Sequence, residues 1–214
     1  MFAGGRAALF ACGLCWRRLI SGVEPHYFFD IVFCVTDDLT MSQGRHTCYG
    51  RCFMSDVVHP NVARVVEAGR ALGLAIVTRR FPEGTKTAQD AATAIGVQVG
   101  QIVKSLVFAV DGEIVMAYVS GANQLEEKKL AAAAGGTKCS RVDADAVREA
   151  TGFPIGGVPP LGLATQLRIF VDPDLLKFDE VWAAAGTWHD VFPIDPRVLQ
   201  SVTNGVVVEL RRTP

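Results

Sequence analysis

The chain has 214 residues, of which 50% are hydrophobic and 20% charged, and its formal net charge is −1. A chain of this composition buries a sizeable core, which excludes a wholly disordered protein. The near-neutral charge excludes a protein that coats nucleic acid through a broad basic surface. No apolar run reaches the roughly 18 residues of a membrane-spanning helix, so an integral membrane protein is not expected.

Residues 1–53 differ from the rest of the chain in cysteine content and in their irregular pattern. All cysteines except Cys139 lie there, at positions Cys12, Cys15, Cys34, Cys48 and Cys52. One interpretation is a zinc site made by Cys12-x-x-Cys15 and Cys48-x-x-x-Cys52, with His46 or His26 nearby. A second is a targeting peptide. A third, which we favour, is a poorly ordered extension, because the cysteine pairs lie far apart and no convincing cleavage site follows the apolar stretch.

Residues 54–214 form the second segment, a single predicted domain whose elements begin with a helix, a strand and a second helix. Pro60 suits the first turn of a helix that ends at Gly73. A short strand is predicted over 74–81. Thr87-x-x-Asp90 is typical of a capping box and predicts a helix that ends at Gly96.

A β-hairpin is the strongest local prediction in the chain. Residues 103–110 and 113–119 are apolar, and Asp111-Gly112 separates them. An Asp-Gly pair between two such runs favours a tight turn of antiparallel strands.

The C-terminal half contributes further helices and strands. Helices are predicted from Asn123 to about Ala134, from Asp143 to Gly152 and from Asp195-Pro196 onward, and strands over 167–171, 181–185 and 206–210. One strand pair is antiparallel, and helices do not separate every pair of strands. The prediction is therefore an α+β fold with a mixed, largely antiparallel sheet and packed helices.

Lys104 is the first candidate for chemistry. It lies in a strand whose two faces are both apolar, so the strand is expected to be central. A lysine there must reach solvent, pair with an acid or line a pocket. It is either a pocket cation for an anionic or carbonyl oxygen, or a lysine at the exposed start of the strand.

The second candidate is the loop over residues 156–162, which reads GGVPPLG. Glycine lets a backbone approach a ligand closely and direct N–H groups at it, and the prolines stiffen the loop. The alternative is an ordinary connector between a helix and a strand.

The remaining polar candidates give no nucleophile or metal site within residues 54–214. Asp172 ends a strand, where it can bind a substrate amine or hydroxyl, or cap the turn that follows. His59 and His189 lie near no serine or cysteine pattern of a triad. A hydrolase on this domain would therefore act through positioning and electrostatics.

The order of these motifs resembles the YbaK/EbsC-type aminoacyl-tRNA deacylases, which are related to the editing (insertion) domain of prolyl-tRNA synthetase. The resemblance covers about residues 58–212. It is carried, in chain order, by residues 87–96, 101–108, 119–121, 151–162, 171–172 and 184–186.

The resemblance implies a trans-editing hydrolase that cleaves the ester of mischarged aminoacyl-tRNA. The mischarged amino acid is expected to be small, and tRNA-Pro is one tRNA that is expected to carry it. It implies catalytic roles for Lys104, Gly156, Gly157 and Pro160, and substrate binding by Phe81, Ser105, Gly121, Val158, Pro159 and Asp172. Some relatives carry tyrosine where this chain has Phe81, which puts substrate preference in doubt.

The resemblance also implies the partners and the location of the protein. The expected partner is the acceptor end of mischarged tRNA, with an association with an aminoacyl-tRNA synthetase as a further expectation. No cofactor, metal, DNA or membrane is expected, and the location would be the cytoplasm. The alternative function is a non-catalytic module on the same fold that binds a tRNA end or an aminoacyl ligand, because a fold does not determine an activity.

Overall fold

The computed structural model describes residues 58–81 and 87–213. The interpretations of residues 1–53, including the zinc site and the targeting peptide, lie outside the described residues. The predicted domain boundary at Met54 lies outside them as well.

Five α-helices and eight strands occur in the described residues. The helices are α1 Pro60–Ala71, α2 Ala88–Ile95, α3 Glu127–Ala133, α4 Ala144–Thr151 and α5 Pro196–Val202. The strands are β1 Arg79–Arg80, β2 Val103–Val110, β3 Glu113–Ser120, β4 Cys139–Arg141, β5 Arg168–Val171, β6 Val181–Ala184, β7 Asp190–Ile194 and β8 Val206–Val207. Short 3₁₀ helices span Val99–Gln101 and Pro173–Lys177.

The strands form two sheets, one of five strands in the order β4-β2-β3-β5-β8 and one of three in the order β1-β7-β6. In the larger sheet β3 pairs with β2 in antiparallel fashion and with β5 in parallel fashion. The smaller sheet is antiparallel throughout. The predicted α+β class with a mixed, largely antiparallel sheet is confirmed, but the division into two sheets was not predicted.

The predicted hairpin is present as β2 and β3, with the register running from Val103 opposite Ser120 to Val110 opposite Glu113. Asp111 and Gly112 both have positive φ, at 48° and 96°, which is the backbone of a type I′ turn. Backbone N–H groups of Thr137 and Lys138 donate to the Asp111 carboxylate and lower its pKa.

The predicted caps of α2 and α4 are also observed. Thr87 accepts from the Asp90 N–H, and the Asp90 carboxylate accepts from the Thr87 N–H, so the capping box at the start of α2 is complete. Gly96 ends the helix in the left-handed conformation. Asp143 caps α4, which ends at Gly152.

Three elements differ from the predictions. Helix α3 begins at Glu127 and not at Asn123, because the Asn123 side chain is buried and bonds to two carboxylates. The strand predicted over 74–81 is reduced to β1, because residues 74–78 pack as irregular chain against α1. The strand predicted over 206–210 is reduced to β8.

The five-stranded sheet has a hydrophobic cluster on each face, so its central strand is buried from both sides. Met116 and Tyr118 of β3 face one cluster, with α1, α4 and the smaller sheet. Val115 and Ala117 face the other cluster, with α3. No helix in the described part of the chain is long and apolar enough to cross a membrane.

Candidate active site

A cavity of about 610 Å³ lies where β2 passes the three-stranded sheet. Strand β2 pairs with β4 only from Phe108 onward, and at its other end Ile102 makes an isolated bridge to Trp182 of β6. The edge of β2 between these two contacts has no neighbouring strand in the described residues. Helices α2 and α4, strands β6 and β7 and the 155–158 segment complete the wall.

The register of the hairpin determines which backbone N–H and C=O groups of β2 point toward this open edge. The Gly121 N–H donates to the Ile102 carbonyl at 2.7 Å, so these two residues form a hydrogen-bonded pair. Hydrogen-bonded and non-hydrogen-bonded pairs alternate along antiparallel strands. The N–H and C=O groups of Ser105 and the N–H of Val107 therefore point away from β3 and toward the open edge, while the Val107 carbonyl faces the start of the pairing with β4.

Lys104 is half-buried and lies on the cavity wall. Its Nζ donates to the backbone carbonyls of Gly121, at 3.3 Å, and of Asn123. Burial lowers the pKa of the Lys104 ammonium, and the nearby Asp172 carboxylate opposes that shift. Two carbonyl acceptors also favour the charged form, so the site holds a cation with one N–H still available.

Asp172 is completely buried behind Lys104 and is not among the residues that line the cavity. One carboxylate oxygen accepts from the Ser120 N–H at 3.2 Å and from the Asn123 side-chain amide at 2.8 Å. The other accepts from the Asp174 N–H at 3.0 Å and caps the 3₁₀ helix. Asp172 therefore caps the turn that follows its strand, which is the second of the two roles considered for it. Its negative charge also opposes the lowering of the Lys104 pKa by burial.

Asn123 is a residue of this site that sequence reasoning missed. Its backbone carbonyl accepts from Lys104, and its side-chain amide bridges Asp172 and Asp174. Hydrogen bonds from Lys177 and Asn123 lower the pKa of Asp174, which keeps this acceptor charged. The sequence shows only an asparagine before a helix, where a capping role is the usual interpretation.

The 154–157 segment forms a tight turn at the cavity wall, which we call the glycine turn. The Gly157 N–H donates to the Pro154 carbonyl at 3.1 Å, and Gly156 has φ +86° at the third position, as in a type II turn. The Gly157 N–H is therefore already used. In the described part of the chain no acceptor takes the N–H of Gly156 or Val158, and both residues line the cavity.

Two aromatic side chains that sequence reasoning missed hold this region in place. The Tyr118 hydroxyl donates to the Pro160 carbonyl at 3.1 Å, and burial raises the Tyr118 pKa, so the phenol stays protonated. The Trp188 Nε1 donates to the Ile155 carbonyl at 2.6 Å. A Cβ atom on Gly156 would lie 2.5 Å from that Nε1, so only glycine fits beside the indole.

Ser105 lines the cavity, and its side-chain hydroxyl is buried without a hydrogen-bond partner. Among the described residues it is the one buried side-chain polar atom in that condition. An unpaired buried hydroxyl costs about 1–3 kcal/mol, so such a group in a cavity points to a ligand that completes its bonding.

The structure thus brings four of the predicted site residues onto the cavity wall, namely Lys104, Ser105, Gly156 and Val158. Gly121 and Asp172 support Lys104 from behind. Gly157, Pro159 and Pro160 belong to the adjoining loop but do not line the cavity.

Phe81 also does not line the cavity. Its N–H donates to the His189 carbonyl at 2.7 Å, beside β7. The substrate-binding role that the resemblance implies for Phe81 stays a prediction. No group of three His, Cys, Asp or Glu side chains suited to a metal ion occurs within residues 58–81 and 87–213.

The fold and the site define an α+β domain with a mostly apolar cavity, a half-buried lysine and a glycine turn at the cavity wall. Residues 82–202 match the family described as the aminoacyl-tRNA editing domain. The chain belongs to this family, which confirms the resemblance found in its motifs.

Three relatives illustrate the breadth of the family. The uncharacterised protein YwhH of Bacillus subtilis is 32% identical over 119 residues, which are 56% of this chain and 76% of YwhH. EbsC of Enterococcus faecalis, provisionally named a Cys-tRNA(Pro)/Cys-tRNA(Cys) deacylase, is 28% identical over 132 residues, 61% of this chain and 80% of EbsC. The proline–tRNA ligase of Maridesulfovibrio salexigens is 39% identical over 107 residues, 50% of this chain but only 18% of the ligase.

A solved structure also resembles this chain along most of the chain's length. A protein provisionally described as a trans-editing enzyme for prolyl tRNA synthetase superposes with a TM-score of 0.70 at 40% identity. The match covers 73% of this chain and 99% of that one.

Proposed function

We propose that this protein is a trans-editing hydrolase that cleaves the ester bond of mischarged aminoacyl-tRNAs carrying small amino acids. Membership of the editing-domain family supports the reaction class, and the provisional names of EbsC and the solved relative support tRNA as the substrate. The observation that carries the proposal is the cavity wall itself. There Lys104, Ser105, Gly156 and Val158 line one space, and they supply an ammonium, a hydroxyl and two backbone N–H groups without an acceptor among the described residues.

In the proposed reaction, water attacks the carbonyl carbon of the ester and negative charge develops on the carbonyl oxygen. The N–H groups of Gly156 and Val158 donate to that oxygen, as in other acyl-transfer sites. The bond between the carbonyl carbon and the ribose oxygen then breaks. The ribose oxygen takes the proton that the water loses, and the products are the free amino acid and tRNA.

No carboxylate or imidazole is among the described residues that line the cavity. We therefore assign delivery of the proton to the neighbouring ribose hydroxyl of the substrate itself. Lys104 acts as a fixed positive charge and not as a base, because two carbonyls hold its ammonium. An aminoacyl ester is already activated, so positioning and charge stabilisation are sufficient for hydrolysis.

Substrate selection follows from the walls of the cavity. Ile102, Trp182 and Val191 provide apolar surfaces that limit the size of the amino-acid side chain. The Ser105 hydroxyl and the Ser105 carbonyl group on the open edge of β2 provide acceptors for the α-amino group. This is the logic of a second sieve, which accepts small side chains that a synthetase cannot reject.

The test is to incubate the full-length chain with tRNA-Pro charged with alanine, serine, threonine or cysteine, and with alanine and serine on other tRNAs. The proposal predicts rapid loss of at least one ester, measured as release of labelled amino acid. Tight binding of the charged tRNAs without loss of any ester would instead support the non-catalytic binding module and overturn the proposed activity.

A further inference from the structure

A groove of about 510 Å³ lies beside the cavity, with the glycine turn between them. Gly156 of the turn lines the cavity, while Pro154 lines the groove. Gly156 also lies against the indole of Trp188, which is part of the groove wall. The glycine turn therefore contributes to both walls, and an ester held at the turn would direct its acyl part toward the cavity and its alcohol part toward the groove.

The groove combines an exposed aromatic ring with basic side chains. Trp188 is 47% exposed, and its hydrogen bond to the Ile155 carbonyl fixes the orientation of the indole. Arg148 is exposed and, within the described residues, makes no ion pair or hydrogen bond through its guanidinium. No carboxylate is among the described residues that line the groove.

His59 adds a second donor at the edge of the groove. Its Nδ1 accepts from the Asn61 N–H at 3.1 Å, so in the neutral ring the proton is on Nε2. That Nε2–H is left to donate to an anion. An aromatic face next to an arginine and a histidine donor is the combination that binds single-stranded nucleic acid, through base stacking and phosphate contacts.

We propose that this groove binds the single-stranded 3′ end of the tRNA, next to the ester. The inference rests on the proposed function, because the hydrolysed ester places the amino acid in the cavity. Trp188 stacks on a base of the 3′ end, and Arg148 and His59 contact its phosphates. A few contacts to the acceptor end suit a chain of formal net charge −1, which lacks a broad basic surface.

The experiment measures binding of an uncharged RNA hairpin with a single-stranded CCA end to the full-length chain, by fluorescence anisotropy. Trp188→Ala is expected to raise Kd about tenfold, while Trp188→Phe, which keeps an aromatic face, stays close to the parent. Arg148→Gln is expected to weaken binding several-fold and to reduce the salt slope by about 1. Arg70→Gln is the control, since Arg70 is exposed on α1 outside the groove.

The hairpin RNA carries no ester, so its binding is separate from hydrolysis. If Trp188→Ala and Arg148→Gln both bind the hairpin as the parent does, the groove is not the RNA site, even where deacylation is observed. If the parent clears no ester but binds the hairpin in a Trp188-dependent way, the proposed function fails and the groove assignment stands. Arg148 lies outside the glycine turn, so its variant is informative even where Trp188→Ala disturbs the turn.

Discussion

At the scale of single residues, the site depends on how the chain holds one lysine. The Lys104 ammonium is bound by two carbonyls, and the Asn123 residue that supplies one of them is itself fixed by Asp172 and Asp174. Burial lowers the Lys104 pKa, and the negative charge of Asp172 opposes that shift. The arrangement gives a positive charge whose position is set by buried groups and not by solvent.

Substitution of Ser105 separates an effect on substrate binding from an effect on folding stability. Ser105→Ala removes a buried hydroxyl that lacks a partner, so we expect the free energy of unfolding to rise by about 1 kcal/mol. The same change removes a contact to the substrate, so kcat/KM for the preferred ester is expected to fall about tenfold. Chemical denaturation and deacylation kinetics on one preparation measure both effects.

Ser201→Ala is the control for this prediction, because Ser201 is an exposed residue of α5 away from the cavity. Equal effects of the two substitutions on kcat/KM would show that the hydroxyl has no role toward a ligand. A loss of stability in Ser105→Ala would show that the hydroxyl has a partner within the protein.

At the scale of elements, the glycine turn connects the sequence most directly to function. Gly156 adopts a φ that disfavours other residues, and the indole of Trp188 fills the place of a Cβ. Tyr118, from the centre of β3, fixes the following Pro160 carbonyl. The turn therefore holds Gly156 and Val158 at the cavity wall, where we propose that their N–H groups act.

Gly156→Ala is expected to displace these N–H groups and to lower kcat about 100-fold, the usual cost of losing an oxyanion donor. Gly135→Ala is a matched control, because Gly135 also has positive φ, at 76°, but has open space around it. Gly135→Ala is expected to lose about 1 kcal/mol of stability from backbone strain, and Gly156→Ala is expected to lose more, because its Cβ also meets the Trp188 indole. Similar deacylation rates for the two variants would contradict the role of the turn.

Local signals explain which elements the sequence predicted well. The Asp111-Gly112 turn and the Thr87 capping box are decided by neighbouring residues, and both were predicted correctly. Strands β4 and β7 were missed. Strand β4 pairs with β2, and β7 pairs with β1 as well as with the adjacent β6, and both β1 and β2 lie far back along the chain. Asn123 was misjudged for the same reason, since its partners Asp172 and Asp174 are distant in sequence.

At the scale of the whole molecule, the cavity exists because the strands divide between two sheets. Strand β2 lies against β6 at Ile102 and against β4 from Phe108, and its uncovered edge between them becomes a wall. The sequence predicted four residues of this wall, namely Lys104, Ser105, Gly156 and Val158, but not the gap, because no local pattern indicates where one sheet ends and another begins. Lys104 was predicted from its strand and Ser105 from the family resemblance, without placing the space that they line.

The central claim is that this cavity hydrolyses an aminoacyl-tRNA ester with the help of the Lys104 charge. The most direct test is single-turnover deacylation, by the full-length chain, of the ester that the parent protein clears. Lys104→Ala is expected to lower the rate about 100-fold or more, while Lys128→Ala, at an exposed position of α3, leaves the rate unchanged. A folded Lys104→Ala variant, verified by circular dichroism, that clears the ester at the parent rate would contradict the account.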